Sequence, residues 1–309
     1  MILVRLMGGL GNQMFQYAFG KSLALKHGVE LKLDISLLGD DGTAENPVVR
    51  YFDLDVFNLK DAFATQQEIE KFNSKSNPDI IDRLKHRVNK IVGKYPLVLQ
   101  KNHEYNVRQI NSIGRNACIV GRWQSEDFFL EHAPEIRKVF SFDHFNPNEY
   151  TSEIVSQMKR GIAVSVHVRR GDYMTHPVYS KGLGCLDKQY YSDAVSLLNE
   201  KLSGKGKLNY YFISDDMDWC KANFREVEGA VFVEQEKNKT GYLSDFWLLT
   251  HCKHSIISNS TFSWWGAWLG EKQDSIIIAP GNWAKDSKFI PQNMIPERWK
   301  RLKNTFENI

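Results

Sequence analysis

The chain has 309 residues, more than one hydrophobic core usually organises, so two domains are expected, each with a substantial core. Its 40 basic and 37 acidic residues nearly cancel, to a formal charge of +3, and such a balance gives no electrostatic footprint for nucleic acid. Cys118, Cys185, Cys220 and Cys252 are scattered without a C-x-x-C pair, which argues against a zinc site and a disulfide framework and fits reduced thiols in a cytosol.

Ile2 to Leu6 reads as a buried strand, too short for a signal-peptide core or a membrane span, so neither leader nor anchor is expected. Gly8-Gly9-x-Gly11 then turns the chain into a helix predicted from about Asn12 to His27, with Phe15, Ala18, Phe19 and Leu23 at helical spacing. Strand, glycine turn and helix form a nucleotide-fold opening, although the glycines fall short of a full G-x-G-x-x-G. Such a loop serves a tight turn, or lines a cleft where backbone N–H groups and Asn12 approach an anion. Glu30 to Asp34 continues as a strand, and Leu38 to Pro47 reads as a loop. From Asp79 to Lys94, Ile80, Leu84, Val88 and Ile91 recur at helical spacing among Arg83, Lys85, Arg87 and Lys90. This predicts a basic amphipathic helix, a solvated cover for a core or a peripheral contact with anionic lipid. Ala117 to Trp123 is a further strand, ending in Arg122-Trp123-Gln124-Ser125-Glu126, a set suited to a sugar, with Ser125 also an N-cap candidate.

After a helix predicted over Glu149 to Lys159 the pattern becomes regular. Strands are predicted at 163–168, 208–214, 230–234, 254–258 and 275–279, with helices near 188–202, 216–224, 241–251 and 262–269. Repeated βα units of this length imply a doubly wound parallel sheet with right-handed crossovers. The expected domains are 1–158 and 159–290, and residues 291–309 are expected to carry a helix crossing back to the first.

Ligands of such sheets collect beyond the carboxyl ends of the strands, where three segments carry chemistry. The run ending in His167-Val168-Arg169-Arg170-Gly171-Asp172 delivers two guanidiniums, whose fork geometry suits phosphate or carboxylate. The bland alternative pairs one arginine with Asp172. Asp215, after Tyr210 to Ser214, can accept from ribose hydroxyls or a guanine edge. Ser260 and Thr261 open the next helix, where hydroxyls and free N–H groups bind phosphate oxygens or simply cap it, and Phe262 can stack on a base. Asp216-x-Asp218 invites comparison with a metal-binding D-x-D, but Asp218 reads more simply as a first-turn helix acid. Trp264, Trp265 and Trp268 read as core. His167 shares the face of Arg169 and either orients it or transfers a proton; Asp172 is the competing base.

His167 to Tyr173 resembles the first signature of the α1,2-fucosyltransferases, close to an H-x-R-R-x-D core shared with α1,6-fucosyltransferases. Met7 to Gln16 and Ser258 to Ala267 resemble the same family's other stretches, in the same order, over nearly the whole chain. The resemblance to bacterial α1,2-fucosyltransferases of glycosyltransferase family 11 implies an α/β, GT-B-like fold, two Rossmann-like domains facing a cleft. It implies an inverting, metal-independent transfer of L-fucose from GDP-fucose to a terminal β-galactose of an oligosaccharide or lipid-linked surface glycan. No cofactor or metal is expected, nor any nucleic-acid partner, and the implied location is a bacterial cytoplasm, peripherally at the membrane's inner face. In a related branch an asparagine in a similar G-N-Q context faces the donor phosphate, which marks Asn12 beside Gly11. Donor binding is thereby expected from Asn12, Gly11, Arg169, Arg170, Asp215, Ser260, Thr261 and Phe262, acceptor binding from Arg122, Trp123 and Glu126, and catalysis from Arg169, His167 and Asp172. The rivals are a fucosyltransferase of another linkage, a non-catalytic nucleotide-sugar or glycan-binding protein on the same fold, and a dehydrogenase. The last needs an acid about 20 residues past a fuller glycine motif, near where Asp34 lies.

Overall fold

Ile2, Leu3 and Val4 are all fully buried, with no alternation between a wet and a dry face. That is the pattern of a central strand in a parallel sheet covered on both sides. The computed structural model describes residues 1–39, 49–57, 59, 63–72, 96–100, 105–234, 239–286 and 293–307. It divides into two compact units, Met1–Ser141 with Pro291–Met294, and Phe142–Ile290 with Ile295–Ile309. The basic helix expected over 79–94, and with it the suggested membrane contact, lies outside the described residues. Among those residues no helix is long and apolar enough to cross a membrane.

In the first unit β1 (Ile2–Arg5), β2 (Leu31–Asp34), β3 (Leu97–Leu99) and β4 (Ala117–Val120) form a parallel sheet in the order β2-β1-β4-β3. The helix Leu10–His27 connects β1 to β2 and ends at Gly28, whose φ of 59° lets its N–H reach back to the carbonyls of Ala24 and Leu25. At the end of β2 the Asp34 side chain is fully buried; it accepts from Arg5 Nε at 2.7 Å and from the Ser36 N–H at 2.9 Å. A carboxylate so engaged is not presented to a ribose, which removes the residue a dehydrogenase reading required.

The second unit carries β5 (Ile162–Val168), β6 (Leu208–Ser214), β7 (Ala230–Phe232), β8 (His254–Ile256), β9 (Ile277–Pro280) and β10 (Lys300–Leu302), all parallel, in the order β10-β9-β8-β5-β6-β7. The α/β class and the doubly wound sheet are as expected. From β5 the chain moves outward through β6 and β7, then returns to the other side of β5 with β8. The order therefore reverses between β5 and β8, the place where open α/β sheets bind ligands. Period-two alternation divides the sheet's side chains between two apolar layers. Val164, Val166, Val168, Tyr210 and Phe212 pack with Tyr190, Tyr191 and Leu198 of the helix Lys188–Lys201. On the other face Ala163, Tyr211 and Ile213 pack with Leu248 and Leu249 of the helix Lys239–His251.

Two expected boundaries are corrected. The helix Glu149–Met158, assigned by sequence to a domain 1–158, buries Ile154, Val155 and Met158 in the second unit's layer, because its apolar stripe finds its cover on the β5–β6 face. Where a crossing helix was expected in 291–309, β10 pairs with β9, and Ile295–Ile309 belongs to the second unit. The backbone groups along the open side of β9 are satisfied by a strand and not by a helix, and this outweighs local amphipathicity.

Removing a fully buried carboxylate that accepts from both a guanidinium and a backbone N–H takes away two charge-assisted hydrogen bonds at once. Asp34→Ala, which deprives Arg5 of its carboxylate, is expected to lower stability by about 3 kcal/mol. Urea unfolding of the variant beside wild type measures this, and an unchanged midpoint removes the pair from the fold's supports.

Candidate active site

β5 and β6 run in register, Val168 opposite Ser214, so the next two residues of each strand leave the sheet side by side. Alternation then sends Arg169 and Asp215 to one face and Arg170 and Asp216 to the other. On the first face Arg169 Nη1 lies 2.9 Å from Asp215 Oδ2 and Arg169 Nη2 donates to Asp172 Oδ1 at 2.6 Å. The Arg169 guanidinium also lies 5.6 Å from the centre of the Tyr173 ring. Burial works against the charge of Arg169, but Asp215 and Asp172 together hold its pKa above the ordinary value. Asp215 Oδ1 accepts from the Arg170 N–H at 2.8 Å. Gly171 makes room for this carboxylate, since a Cβ there would stand 2.5 Å from Asp215 Oδ2.

On the second face Arg170 is buried, its Nε donating to Asp216 at 2.9 Å and its Nη1 ion-paired with Glu307 at 2.7 Å, with its guanidinium 4.3 Å from the Trp219 ring centre. Asp216 also caps the helix Met217–Phe224 by accepting from the Trp219 N–H, and Asp218 stands in that helix's first turn. Several sequence expectations change accordingly. Arg170, expected at the donor, has its charge and its plane engaged in this cluster with Asp216, Glu307 and Trp219. One arginine, Arg169, does pair with Asp172, as the alternative reading of the sequence had it. Asp215 holds Arg169 and the loop in place, where a base- or ribose-binding role was expected. Asp172 likewise holds Arg169 rather than standing free as a base.

His167, on the same face as Arg169, is buried, and its Nδ1 lies 2.8 Å from Ser258 Oγ. Burial first, and Arg169 second, push its pKa down to about 3, so the ring is neutral and a weak base. Its bond goes to the β8 turn, and no bond orienting Arg169 is formed. Tyr173 Oη donates to the Asn259 carbonyl at 3.1 Å, a second link from the arginine loop to that turn. Ser260 stands at the N-cap of the helix Thr261–Gly270 without a capping bond from its side chain, and its hydroxyl has no partner among the described residues. Capping therefore does not account for it. Phe262 does not stand open for a base: its ring lies 5.5 Å from His167, 4.8 Å from Tyr242 and 4.9 Å from Phe246. Trp264, Trp265 and Trp268 are buried core, as expected.

Sequence reasoning passed over one residue of this face, Asp245. It lies on the helix Lys239–His251, one turn from Tyr242 and next to Phe246. Its Oδ1 is buried without a partner, and burial first, then Asp215, raise its pKa to about 8. The sequence signal was an acid set among Leu243, Phe246, Trp247, Leu248 and Leu249.

In the first unit the helix starts at Leu10, which puts Gly11 and Asn12 in its first turn. Asn12 Oδ1 accepts from Gln124 Nε2 at 2.7 Å. The loop Met7–Gly9 is laced down by two fully buried glutamines that carried no assigned role. Gln13 donates to the carbonyls of Gly8 and Tyr51 and accepts from the Asp53 N–H, and Gln16 bonds both backbone groups of Met7. Of the expected acceptor set, Trp123 is buried against Phe19 and Phe128 and Glu126 is buried beside it in sequence. Both belong to the interior, because the strand end turns inward at Trp123, whose φ is 52°. Arg122 keeps partial exposure, and Ser125 caps the short turn after it.

A protein-family profile described as glycosyl transferase family 11 matches residues 1–303. An alpha-1,2-colitosyltransferase of Escherichia coli is 32% identical over an aligned 311 residues, covering 97% of this chain and 98% of that protein. The O-antigen biosynthesis glycosyltransferase WbnK of Escherichia coli is 28% identical over 292 aligned residues, 90% of this chain and 93% of that one. The human galactoside alpha-(1,2)-fucosyltransferase 1 is 30% identical over 171 residues, 53% of this chain and 45% of that protein.

The raised pKa of Asp245 has a consequence for stability. Between about pH 4, where an unfolded aspartate ionises, and about pH 8, the folded chain binds a proton that the unfolded chain has released. Stability therefore falls as pH rises through that window. Asp245→Asn is expected to flatten this part of the curve, so that the variant gains on wild type as pH approaches 8. Melting temperatures measured in steps from pH 5 to 9 check it; parallel curves would show that the carboxyl is already ionised in the folded chain.

Proposed function

The chain belongs to glycosyl transferase family 11, and we propose that it transfers L-fucose, with inversion, from GDP-fucose to the 2-hydroxyl of a terminal β-galactose on a bacterial surface glycan. That it is a glycosyltransferase of the α1,2-fucosyltransferase type follows from the family; donor, acceptor and setting are the proposal. One observation carries it: Arg169 is held by two carboxylates at the sheet's switch point, and the remaining N–H donors of its fork have no partner among the described residues. Beside it the β8 turn leads into a helix start with an unbonded Ser260 hydroxyl. Guanidinium N–H groups, a hydroxyl and a helix N-terminus are the donors a departing diphosphate requires.

As the acceptor oxygen bonds to the anomeric carbon, the anomeric C–O bond to phosphate breaks with oxocarbenium character, and its electron pair leaves on the diphosphate. The catalytic work then lies in stabilising that charge. Arg169 does this from an orientation fixed before the ligand arrives, because Asp172 and Asp215 hold its fork. Such preorganisation avoids reorganisation during the reaction. In this reading the cationic fork and the helix start take the task a divalent ion performs elsewhere, and Asp216, engaged with Arg170 and the Trp219 N–H, is committed to the fold. Asn12 and Gly11 remain candidates for the donor phosphate and Arg122 for the acceptor.

A second donor has support of its own, since the relative matching nearly the full length is described as a colitosyltransferase. Colitose is L-fucose without its 3-hydroxyl. A site that hydrogen-bonds a hydroxyl rejects the analogue lacking it by about 10⁴-fold or more, whereas an apolar pocket discriminates by only about 10–200-fold. Comparing kcat/KM for GDP-fucose and GDP-colitose with one galactoside acceptor decides between them: the fucose reading expects the large ratio, and a ratio below one assigns the enzyme to colitose. Arg169→Lys is expected to lower kcat by about a hundredfold to a thousandfold, because a lysine cannot reproduce the fork. A folded variant with near-normal turnover removes Arg169 from the leaving-group role. Activity is expected to survive dialysis against a strong chelator; loss restored by manganese or magnesium would replace the arginine mechanism with a metal-assisted one.

A further inference from the structure

We propose that Gln124 is a positioning residue that holds the Asn12 amide with its N–H donors toward the ligand, an inference that rests on the donor-phosphate role proposed for Asn12 above. An asparagine amide has nearly the same shape at both ends, but one end donates hydrogen bonds and the other only accepts. Facing a phosphate, one orientation binds and the other repels, so the protein has to distinguish them. Asn12 Oδ1 accepts from Gln124 Nε2 at 2.7 Å, which commits the accepting end to the protein. The donating end, Nδ2, has no hydrogen-bond partner among the described residues. It lies over Gly8, whose φ is 76° and where a Cβ would stand 2.5 Å from Nδ2, so the missing side chain gives the amide its place. The surrounding helix start suits an anion in the same sense: Gly9 offers no side-chain cap, and no acid stands in the first turn.

The reach of Gln124 comes from a strained turn. The strand order β2-β1-β4-β3 reverses between β1 and β4, and the turn after β4 brings Gln124 across to the helix that follows β1. Trp123 takes a φ of 52°, a left-handed conformation that bulky side chains rarely adopt. Gln100 holds it there, its Oε1 accepting from the Arg122 N–H at 3.0 Å and the Trp123 N–H at 2.8 Å. Gly121 leaves room for this, since a Cβ there would lie 2.5 Å from Gln100 Cβ. The indole packs against Phe19 and Phe128, and beyond it the Ser125 hydroxyl donates to the Asn293 carbonyl at 2.9 Å. With both flanks fixed, the buried Gln124 side chain is aimed at the helix start. Strain of this kind persists only where the surroundings over-determine it, and the contact this turn delivers to the glycine loop is the Gln124–Asn12 bond.

The size of the effect follows from populations. Released from Gln124 and populating its two orientations equally, the Asn12 amide is competent half of the time, an about twofold loss of affinity, and freed side-chain rotamers extend this to about tenfold. The loss falls on the donor and leaves the acceptor unaffected.

The test measures GDP affinity by calorimetry, and KM for each substrate in transfer from GDP-fucose to a β-galactoside, for wild type, Asn12→Ala, Gln124→Met and the double variant, with a melting temperature for each. Asn12→Ala is expected to weaken GDP binding, and Gln124→Met to weaken it about two- to tenfold with the acceptor KM unchanged. The double variant is expected to bind GDP as Asn12→Ala alone does, because Gln124 acts only through Asn12. A glutamine that merely supports the fold gives losses that add; additive losses, or an unaffected Gln124→Met, overturn the assignment. Gln124→Glu keeps the side chain's volume and serves where Met disturbs folding. Its carboxylate only accepts, so it draws Asn12 Nδ2 to itself and turns Oδ1 outward. Wild-type GDP affinity in Gln124→Glu overturns the assignment, and so does a loss equally large in the Asn12→Ala background, which marks plain charge repulsion. A wild type that binds no GDP, or an Asn12→Ala variant that binds it normally, overturns the parent reading and this one with it, whereas an Asn12 effect without a Gln124 effect overturns this one alone.

Discussion

The second unit's chemistry depends on the in-register approach of β5 and β6 at their carboxyl ends. Two consecutive arginines leave one strand and two consecutive aspartates leave the other, and the pleat sorts them into one pair on each face. A slip of one residue would place each arginine opposite the wrong aspartate and turn the apolar sets of both strands to the wrong layers. The same apolar packing that fixes the register, Val164, Val166 and Val168 against Tyr210 and Phe212, therefore fixes the charge pairs. Arg170 locks the loop from below through Asp216, Trp219 and Glu307, and Arg169 is presented from above. The loop is also tied to the strand on the other side by His167 with Ser258 and Tyr173 with the Asn259 carbonyl. The β8, β5 and β6 ends thus act as one rigid edge.

The first unit solves a similar problem with neutral groups. A glycine loop must leave β1 and turn into a helix without side chains to pack, so its position has to come from elsewhere. Gln13 and Gln16, fully buried, supply it by replacing the backbone bonds that an irregular loop lacks. Buried amides are costly unless every donor and acceptor is met, and here both are met largely by backbone. This accounts for the glutamines in Asn12-Gln13-Met14-Phe15-Gln16 as structural residues, and leaves the neighbouring Asn12, at the helix start and held among the described residues through its carbonyl oxygen by Gln124, as the group with capacity for a ligand.

Much of the fold was legible because β5 to β9 and their helices repeat a simple alternation of periods, and the structure departs from the predicted limits by a residue or two. The exceptions share one cause. The segment around Lys300 has helical spacing, but its partner is the open side of β9, and pairing of that kind leaves no local trace in sequence. At the site, alternation separated Arg169 from Arg170 correctly, yet which carboxylate each would meet depended on the β5–β6 register, invisible from either strand alone. Trp123 and Glu126 carry the residue types of a sugar site and are interior, because burial is set by the backbone turn at Trp123 and not by residue type. Asp245 was missed for the converse reason: one acid on an apolar helix looks like a solvent-facing position until the helix is seen to be covered on that side.

Charge balance links these observations. Arg169 brings one positive charge to a face that also holds Asp172, Asp215 and Asp245, so with all three ionised the face is negative and opposes an incoming diphosphate. With the proton retained on Asp245, the arginine and its two partners amount to a single negative charge, and the helix start of Thr261–Gly270 adds its partial positive charge. Anion binding and deprotonation of Asp245 are therefore antagonistic: a bound diphosphate, one more negative neighbour, favours the protonated carboxyl still further. Of the acids on this face, the two on Arg169 thus fix the clamp, and the third stays uncharged while an anion is bound beside it.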